Sequence, residues 1–504
     1  MLLDLSQFIN RRLTLPHHRF PKEEVPYMQA YSSVALHNDY YTYELQHFLA
    51  PFGSPTFHDF GDSPPRDVLD LGCGEGYWAA EAAIVWKAAG TVVTAFDIVD
   101  LGRPLRKALD PETQQRLIWV KGNFLKQGLP FPAKSFDLVR MANLTLAIPQ
   151  DRWSHVLKEV KRVLRPGGIV EIVDDEVFFP SIQPAPSASH ERTHSPDGGA
   201  ARVAHPQDGA PTASPRRQSK AVNPTASGSR LSIPADVSDH RQRSIATRTM
   251  ETVFQNMLLY EYNVSPTPHQ FLEDEILKAF DGVTVKTKEV VIPKKDLGFR
   301  TVSDDGPSTP SASDMTTKGR KGRHSLDNNV TDFSPPAFVA PKAAQLLQLE
   351  AGNRGRYQPP GFIVLPDSFM PCDPDALEMH ACHNIHLLLG CKDALGRYIE
   401  QQRSEDGEPL VSDEEFEELL FDYENFRRQR MNWPQNYPGV NLEEEPASPQ
   451  RPMFSRKDLS IRNRPPSGLG MSMNVSVPKD AVIPVRRIRA FAGRKSDPKA
   501  AHVR

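Results

Sequence analysis

The sequence has few cysteines and no long apolar run, and both absences narrow the class of protein. Four cysteines in 504 residues are too few for a disulfide framework and fit a reducing compartment. No apolar run approaches the roughly 18 residues needed to cross a bilayer. Asp4 interrupts the apolar start of the chain, so we expect no secretory signal and no association with a membrane.

The chain also lacks a net charge of either sign and is low in residues that form a core. A net charge of −3 predicts no specific nucleic-acid partner, and 46 prolines with only 39% hydrophobic residues predict long disordered stretches. We place these in an insertion at 181–242, a linker at 301–335 and a basic tail at 435–504. Protein partners are expected to bind such segments, and the expected location is cytoplasmic and/or nuclear.

Residues 68–78 give the clearest structural signal in the rest of the sequence. Asp67–Leu71 is apolar enough to be a strand buried on both faces, and a helix is predicted over Tyr77–Ala89. Between them lie Gly72, Gly74 and Gly76, which allow a tight turn and a close approach of a ligand to the backbone. A strand, a glycine turn and a helix begin a βαβ unit whose helix N-terminus favours an anionic group.

The spacing of these glycines argues against a dinucleotide. The dinucleotide motif requires a small residue where this chain has Tyr77. Asp70 and Glu75 flank the loop, an unfavourable setting for a pyrophosphate but a suitable one for a ligand that carries an ammonium group. We therefore do not expect a nicotinamide-dependent dehydrogenase.

The segment DVLDLGCGEG resembles motif I of the class I methyltransferases, which use S-adenosyl-L-methionine. The resemblance implies that Asp70 faces the methionine ammonium group. It also implies that the loop backbone lies under the methionine part, at Gly72, Cys73, Gly74 and Gly76.

Residues at the ends of the second, third and fourth strands complete the predicted cofactor site. Asp97, with the adjoining Ile98, ends the second strand about 20 residues after the loop, where an acid binds ribose hydroxyls; Asp100 is the alternative. After the third strand stands Asn123, where the family usually has an acid for the adenine amino group, and Phe124 is placed to pack on the adenine. A pocket residue, Asn143, follows the fourth strand.

Strands alternate with helices from 66 to 180, which predicts a doubly wound, Rossmann-like α/β core with a parallel sheet. The remaining predicted units are an N-terminal helical cap at 1–65, the remainder of the core at 243–300 and a helical region at 336–434. In the cap, tyrosines 27, 31, 40, 41 and 43 either pack on the sheet or roof the cofactor or substrate.

The resemblance extends to fungal methyltransferase-domain proteins, including regulators of secondary metabolism, through the aromatic N-terminal region and Glu44–His47. It implies transfer of a methyl group to an unidentified metabolite or protein. The alternative is a cofactor-binding regulatory or scaffold protein with little or no activity. We identify no catalytic base and no N/D-P-P-Y motif after the fourth strand.

Histidines and cysteines gather between 380 and 391, but their spacing lacks the paired ligands of a zinc site. We therefore predict no metal, with buried cysteines and surface histidines in this segment.

Overall fold

The computed structural model describes residues 8–9, 16–51, 53–126, 128–180, 240–293, 361–365, 368–372, 374–403, 407, 411–427, 429–431 and 482–497. A nine-stranded sheet forms the centre of the molecule. In chain order its first five strands are β3 (Asp67–Leu71), β4 (Val92–Asp97), β5 (Leu117–Lys121), β6 (Phe136–Ala142) and β7 (Leu164–Asp175). These five pair in parallel in the order β5-β4-β3-β6-β7, which confirms the predicted doubly wound core.

Apolar runs explain why the central strands form where they do. Val68, Leu69 and Leu71 have no exposed surface, as expected for a strand covered on both faces. The chain winds outward from β3 in one direction through β4 and β5, and in the other through β6 and β7. The reversal of strand order therefore lies between β3 and β6, where open α/β sheets bind their ligands.

Helices cover both faces of this core. They are α2 (Tyr77–Val85), α3 (Arg103–Ala108), α4 (Pro111–Gln115) and α5 (Trp153–Val163). In α5 every third or fourth residue is buried, from Trp153 through Val156 and Val160 to Val163. This spacing gives the helix one apolar face, which packs on the sheet together with α7 (His269–Ala279).

A strand from the C-terminal region lies inside the sheet. β11 (Val482–Arg494) pairs antiparallel with β7 on one side and with β8 (Asp281–Pro293) on the other. The prediction of a disordered basic tail is therefore wrong for residues 482–494. The apolar residues of β11 are buried in the core, and two of its arginines, Arg486 and Arg487, pair with Asp175 and Glu289, so the positive charge does not keep this segment in solvent.

The predicted helical region at 336–434 also needs correction. Its first described residues form two more strands, β9 (Gly361–Leu365) and β10 (Ser368–Pro371), which extend the sheet beyond β8. Four helices follow: α8 (Pro374–Ala381), α9 (His383–Gly390), α10 (Lys392–Glu400) and α11 (Asp413–Phe426). They share one apolar core with β7, β8 and β11, because their buried residues pack in a single cluster.

The N-terminal cap contains one long helix, α1 (Ser33–Leu49), which starts at Ser32, whose side chain accepts the Ala35 amide hydrogen. It packs against α2, α8 and α9 and so joins the two halves of the molecule. A short antiparallel pair, β1 (Phe8–Ile9) and β2 (His17–His18), precedes it. After the predicted insertion the chain continues as α6 (His240–Asn256), so the last three residues of 181–242 are helical.

The linker at 301–335, most of the insertion at 181–242 and residues 435–481 lie outside the described residues. In the described part of the chain, no helix combines the length and apolar character required to cross a membrane.

Candidate functional site

A cavity of about 200 Å³ opens at the carboxyl ends of β3 to β7. Its roof comes from α1 and from residues 25–31 before it. Nine of the ten predicted cofactor residues line this cavity: Asp70, Gly72, Cys73, Gly74, Asp97, Ile98, Asn123, Phe124 and Asn143. The cavity therefore lies at the reversal of strand order.

The glycine loop places bare backbone against the cavity. Gly72 and Gly74 have φ of +76° and +55°, a left-handed conformation that disfavours other residues. A Cβ on Gly72 would lie 2.5 Å from Leu144 Cδ2, so a larger residue here would also have to displace the Leu144 side chain. A Cβ on Gly74 would meet nothing within 4 Å. Gly74 thus leaves the open space that a cofactor lying on the loop needs.

Gly76 is the predicted residue that does not reach the cavity. It caps the N-terminus of α2 with φ of +84°, and an added Cβ would lie 2.2 Å from Cη2 of Trp119. The requirement for glycine here comes from the turn and from the indole ring. The turn and Trp119 give Gly76 a structural role, and its predicted contact with the cofactor stays a prediction.

Asp97 holds the glycine loop in place. Its Oδ2 accepts the Gly74 amide hydrogen at 2.8 Å and its Oδ1 accepts that of Val99 at 3.2 Å. Burial raises the pKa of Asp97, while these amide hydrogens oppose the shift. The alternative acid, Asp100, instead binds Arg106 at 2.7 Å. The ribose role of Asp97 stays a prediction, and ordering the loop is a second role.

Both predicted asparagines bind protein groups. Asn123 donates to the Glu24 carbonyl at 3.0 Å, and its Oδ1 accepts from the Leu125 amide at 2.8 Å. One amide hydrogen and one lone pair remain for the predicted adenine contact. Asn143, at φ +57°, accepts from Gln46 Nε2 at 2.7 Å, which ties the end of β6 to α1.

A buried cation lies beside Asp70, and the sequence interpretation missed it. Arg140 is the parallel-sheet partner of Asp70, and its Nη1 lies 3.4 Å from the Asp70 carboxylate. Arg140 Nη2 donates to Gln46 at 2.9 Å, and the guanidinium lies 4.4 Å from the ring centre of Trp78. Burial raises the pKa of Asp70 to about 6 against the opposing charge of Arg140. An arginine within an otherwise apolar strand was the available signal.

Tyrosines form part of the cavity wall. Tyr27, Tyr31 and Tyr43 line it from the N-terminal cap. Tyr43 stacks on Tyr77 at 5.8 Å between ring centres, with the rings 26° from parallel. Tyr41 instead packs edge-on against His380. The aromatic cap thus contains both residues that pack away from the cavity and residues that roof it.

Acidic residues at the end of β7 close the far side of the cavity. Asp174 and Asp175 both line it, and the Arg486 Nε of β11 donates to Asp175 Oδ2. His383 Nε2 lies 3.6 Å from the same carboxylate. The pKa of His383 is lowered, first by burial and then by the charge of Arg486, so this histidine is neutral. The sequence interpretation missed this group because His383 and Arg486, the partners of Asp175, come from distant parts of the chain.

The predicted surface histidines are buried. His380, His383 and His386 are at most 7% exposed, because α8 packs between α1 and the sheet and α9 packs against α1, α8 and α11. Cys382 and Cys391 are buried with them. Within the described residues, no group of three or more His, Cys, Asp or Glu side chains is placed to hold a metal ion.

Comparison with known proteins identifies the core. Residues 68–168 match the sequence model of the methyltransferase domain family. A sterol 24-C-methyltransferase from Gibberella zeae is 35% identical over 131 residues, covering 26% of this chain and 31% of the relative. A demethylmenaquinone methyltransferase from Lactococcus lactis is 29% identical over 142 residues, covering 26% of this chain and 54% of the relative.

A 27-O-demethylrifamycin SV methyltransferase from Amycolatopsis mediterranei is 34% identical over 110 residues, covering 21% of this chain and 38% of the relative. The chain thus spans between about a third and about a half of the length of these relatives. Among solved structures, an S-adenosylmethionine-dependent methyltransferase from Methanosarcina mazei is 27% identical and covers 24% of this chain and 57% of its own, with a TM-score of 0.20.

The matched residues carry the glycine loop, the second-strand acid and the parallel strands that surround the cavity. Residues 68–168 therefore form the core of a class I methyltransferase domain, whose cofactor is S-adenosylmethionine.

Proposed function

We propose that the protein transfers the methyl group of S-adenosylmethionine to an acceptor that binds in the same cavity. The observation that carries this proposal is the open backbone of Gly74, which faces a cavity bordered by Asp70 and Asp97. When bound, the cofactor supplies a methyl group on a positively charged sulfur, which departs as a neutral thioether. The protein has to orient the acceptor and exclude water.

We assign the cofactor contacts by position along the sheet. Asp70, at the end of β3, would bind the methionine ammonium group, and Asp97, at the end of β4, the ribose hydroxyls. Asn123 and Phe124, after β5, would contact the adenine. Their order along the sheet, one strand after another, supports this assignment because a cofactor lying across the strand ends meets them in turn.

The acceptor side supports a transfer reaction. The cavity continues past β6 to the end of β7, beyond the residues assigned to the cofactor, and its walls there combine acidic and apolar side chains. In an enzyme, such a space can bind the second substrate. A protein that only binds the cofactor as a regulator has no need for it.

The test is incubation of the protein with S-adenosylmethionine labelled in its methyl group and with a cell extract. We expect release of S-adenosylhomocysteine together with a labelled product, and neither in the absence of the protein. Tight cofactor binding without any labelled product would favour the regulatory or scaffold function, in which the segments outside the core bind other proteins.

A further inference from the structure

The two oxygens of the Asp174 carboxylate differ in their hydrogen bonding. Its Oδ1 accepts the Thr145 hydroxyl hydrogen at 2.5 Å and the Asp175 amide hydrogen at 2.9 Å. Its Oδ2 is buried and has no hydrogen-bond partner among the residues that the structure describes. Asp174 lines the cavity and is 5% exposed. A buried acceptor without a donor is costly, so this oxygen is suited to a donor that a ligand brings.

The position of Asp174 places it away from the assigned cofactor contacts. β6 lies between β7 and β3, so the end of β7 is two strand spacings, roughly 10 Å, from Asp70. Asp97 and Asn123 lie still further along the sheet in the opposite direction. If the proposed function holds, Asp174 therefore faces the acceptor and not the adenosine part of the cofactor.

The walls of the cavity favour a cation. Six carboxyl side chains line it, from Asp39, Asp70, Glu75, Asp97, Asp174 and Asp175. Among the described lining residues, Arg140 is the one permanently charged cation, and Arg486 from behind the wall binds Asp175. Tyrosine rings line the same cavity, and their faces attract an ammonium group.

We propose that the methyl acceptor is a small amine, protonated in solution, that donates an N–H hydrogen bond to Asp174 Oδ2. The proton passes from the nitrogen to this oxygen, which leaves a lone pair on the nitrogen. The lone pair forms the new C–N bond as the C–S bond breaks, and the electron pair of that bond stays on sulfur. The methylated amine leaves with the positive charge, and the proton on Asp174 is released to solvent.

The environment of Asp174 suits the transfer of a proton. Burial raises its pKa to about 7, while the hydrogen bonds from Thr145 and the Asp175 amide oppose the shift and the Asp175 charge adds to it. A carboxylate with this pKa is a stronger base than an ordinary aspartate. The apolar residues Leu146, Val177 and Leu387 line the same cavity and suit a small hydrocarbon part of the acceptor.

The experiment compares the wild type with Asp174→Asn, which keeps the shape of the side chain and removes its basicity. Asp274→Asn removes an exposed aspartate on α7 and is the matched control. Each protein receives methyl-labelled S-adenosylmethionine with a cell extract and, separately, with matched probes: phenethylamine against phenethyl alcohol, and ethanolamine against ethylene glycol. Products are separated by cation exchange, and cofactor binding is measured by calorimetry.

We expect label in N-methylated products retained on the cation exchanger, with the rate at least 100-fold lower in Asp174→Asn and unchanged in Asp274→Asn. Cofactor affinity should stay within threefold in all three proteins. Label only in neutral or acidic products or in protein, no transfer to any amine, or full activity of Asp174→Asn would overturn the amine assignment. Failure of the wild type to bind S-adenosylmethionine would instead overturn the proposed function.

Discussion

Asp97 should make two separable contributions, one to the affinity for the cofactor and one to the stability of the glycine loop. Asp97→Ala should lower affinity for S-adenosylmethionine at least tenfold, because each hydrogen bond to a charged group contributes about 1.5–3 kcal/mol. It should also lower the free energy of unfolding by about 1–3 kcal/mol, because the Gly74 and Val99 amides lose their acceptor. Calorimetry and chemical denaturation measure the two effects.

Asp100→Ala is the control, since Asp100 pairs with Arg106 and does not line the cavity. It should bind the cofactor within twofold of the wild type. Loss of affinity in this variant, with Asp97→Ala unaffected, would transfer the ribose role to Asp100.

The raised pKa of Asp174 predicts a pH-dependent difference in stability between the wild type and Asp174→Asn. The pKa of the folded-state carboxyl is raised to about 7, whereas that of the unfolded chain is about 4. Between these values the folded wild type holds a proton that the unfolded chain has released. This stabilisation is present at low pH and is lost as the pH rises through 7.

Denaturation of both proteins from pH 5 to pH 8 should therefore show the wild type gaining stability relative to Asp174→Asn as the pH falls, by on the order of 2–3 kcal/mol in total. The buried histidines are present in both proteins, so their contribution cancels. The difference between the wild type and Asp274→Asn should be independent of pH. A constant difference for Asp174→Asn would mean that its carboxyl has an ordinary pKa.

At the scale of elements, β11 anchors the C-terminal region through one buried ion pair. Arg486 has no exposed surface and binds Asp175, and it also donates to the Thr42 hydroxyl of α1 at 3.1 Å. Arg486→Met should leave the Asp175 charge buried without its cation and cost about 3–5 kcal/mol of stability. Arg494→Met, on the exposed end of the same strand, should cost no more than about 0.5 kcal/mol.

Thermal and chemical denaturation of both variants test this prediction. Equal stability of Arg486→Met and Arg494→Met would show that the pair contributes nothing net, as occurs when the desolvation of two charges offsets their attraction.

The elements that could be predicted from the sequence are those with a local signal. Asp67–Leu71 and the glycines after it specify a strand and a turn within ten residues, and β4 to β7 repeat the same apolar pattern. Residues 482–494 lack such a signal, and their composition predicts a disordered basic tail because four of them are arginines. Their carboxylate partners, among them Asp175 and Glu289, lie about 200 to 300 residues earlier in the chain, and composition does not report such pairings.

Within the site, too, only residues with a local sequence signal could be predicted. The cofactor residues follow strand ends, so their spacing along the chain located them. The pairing of Asp70 with Arg140, the contact of Gly76 with Trp119 and the acids at the end of β7 depend on which strands are neighbours. These contacts follow from the sheet order and not from any local pattern.

For the whole molecule, the fold combines a local βαβ core with distant segments that complete one sheet and one cavity. α1 contributes to the roof, and α9, from far along the chain, provides His383 and Leu387 to the wall. The cofactor and the proposed acceptor would therefore meet where the N-terminal cap, the core and the C-terminal region join. Binding of the cofactor should stabilise the whole molecule and not the core alone.

Calorimetric titration of Gly74→Val and Gly90→Val with S-adenosylmethionine tests the central claim most directly. Both glycines have positive φ and open space around the position of a Cβ, so the two substitutions impose similar backbone strain. Only Gly74 lines the cavity. We predict that the wild type and Gly90→Val bind one S-adenosylmethionine and no NAD, and that Gly74→Val binds neither. Unchanged affinity in Gly74→Val, or binding of NAD by the wild type, would contradict the assignment of this cavity to the cofactor.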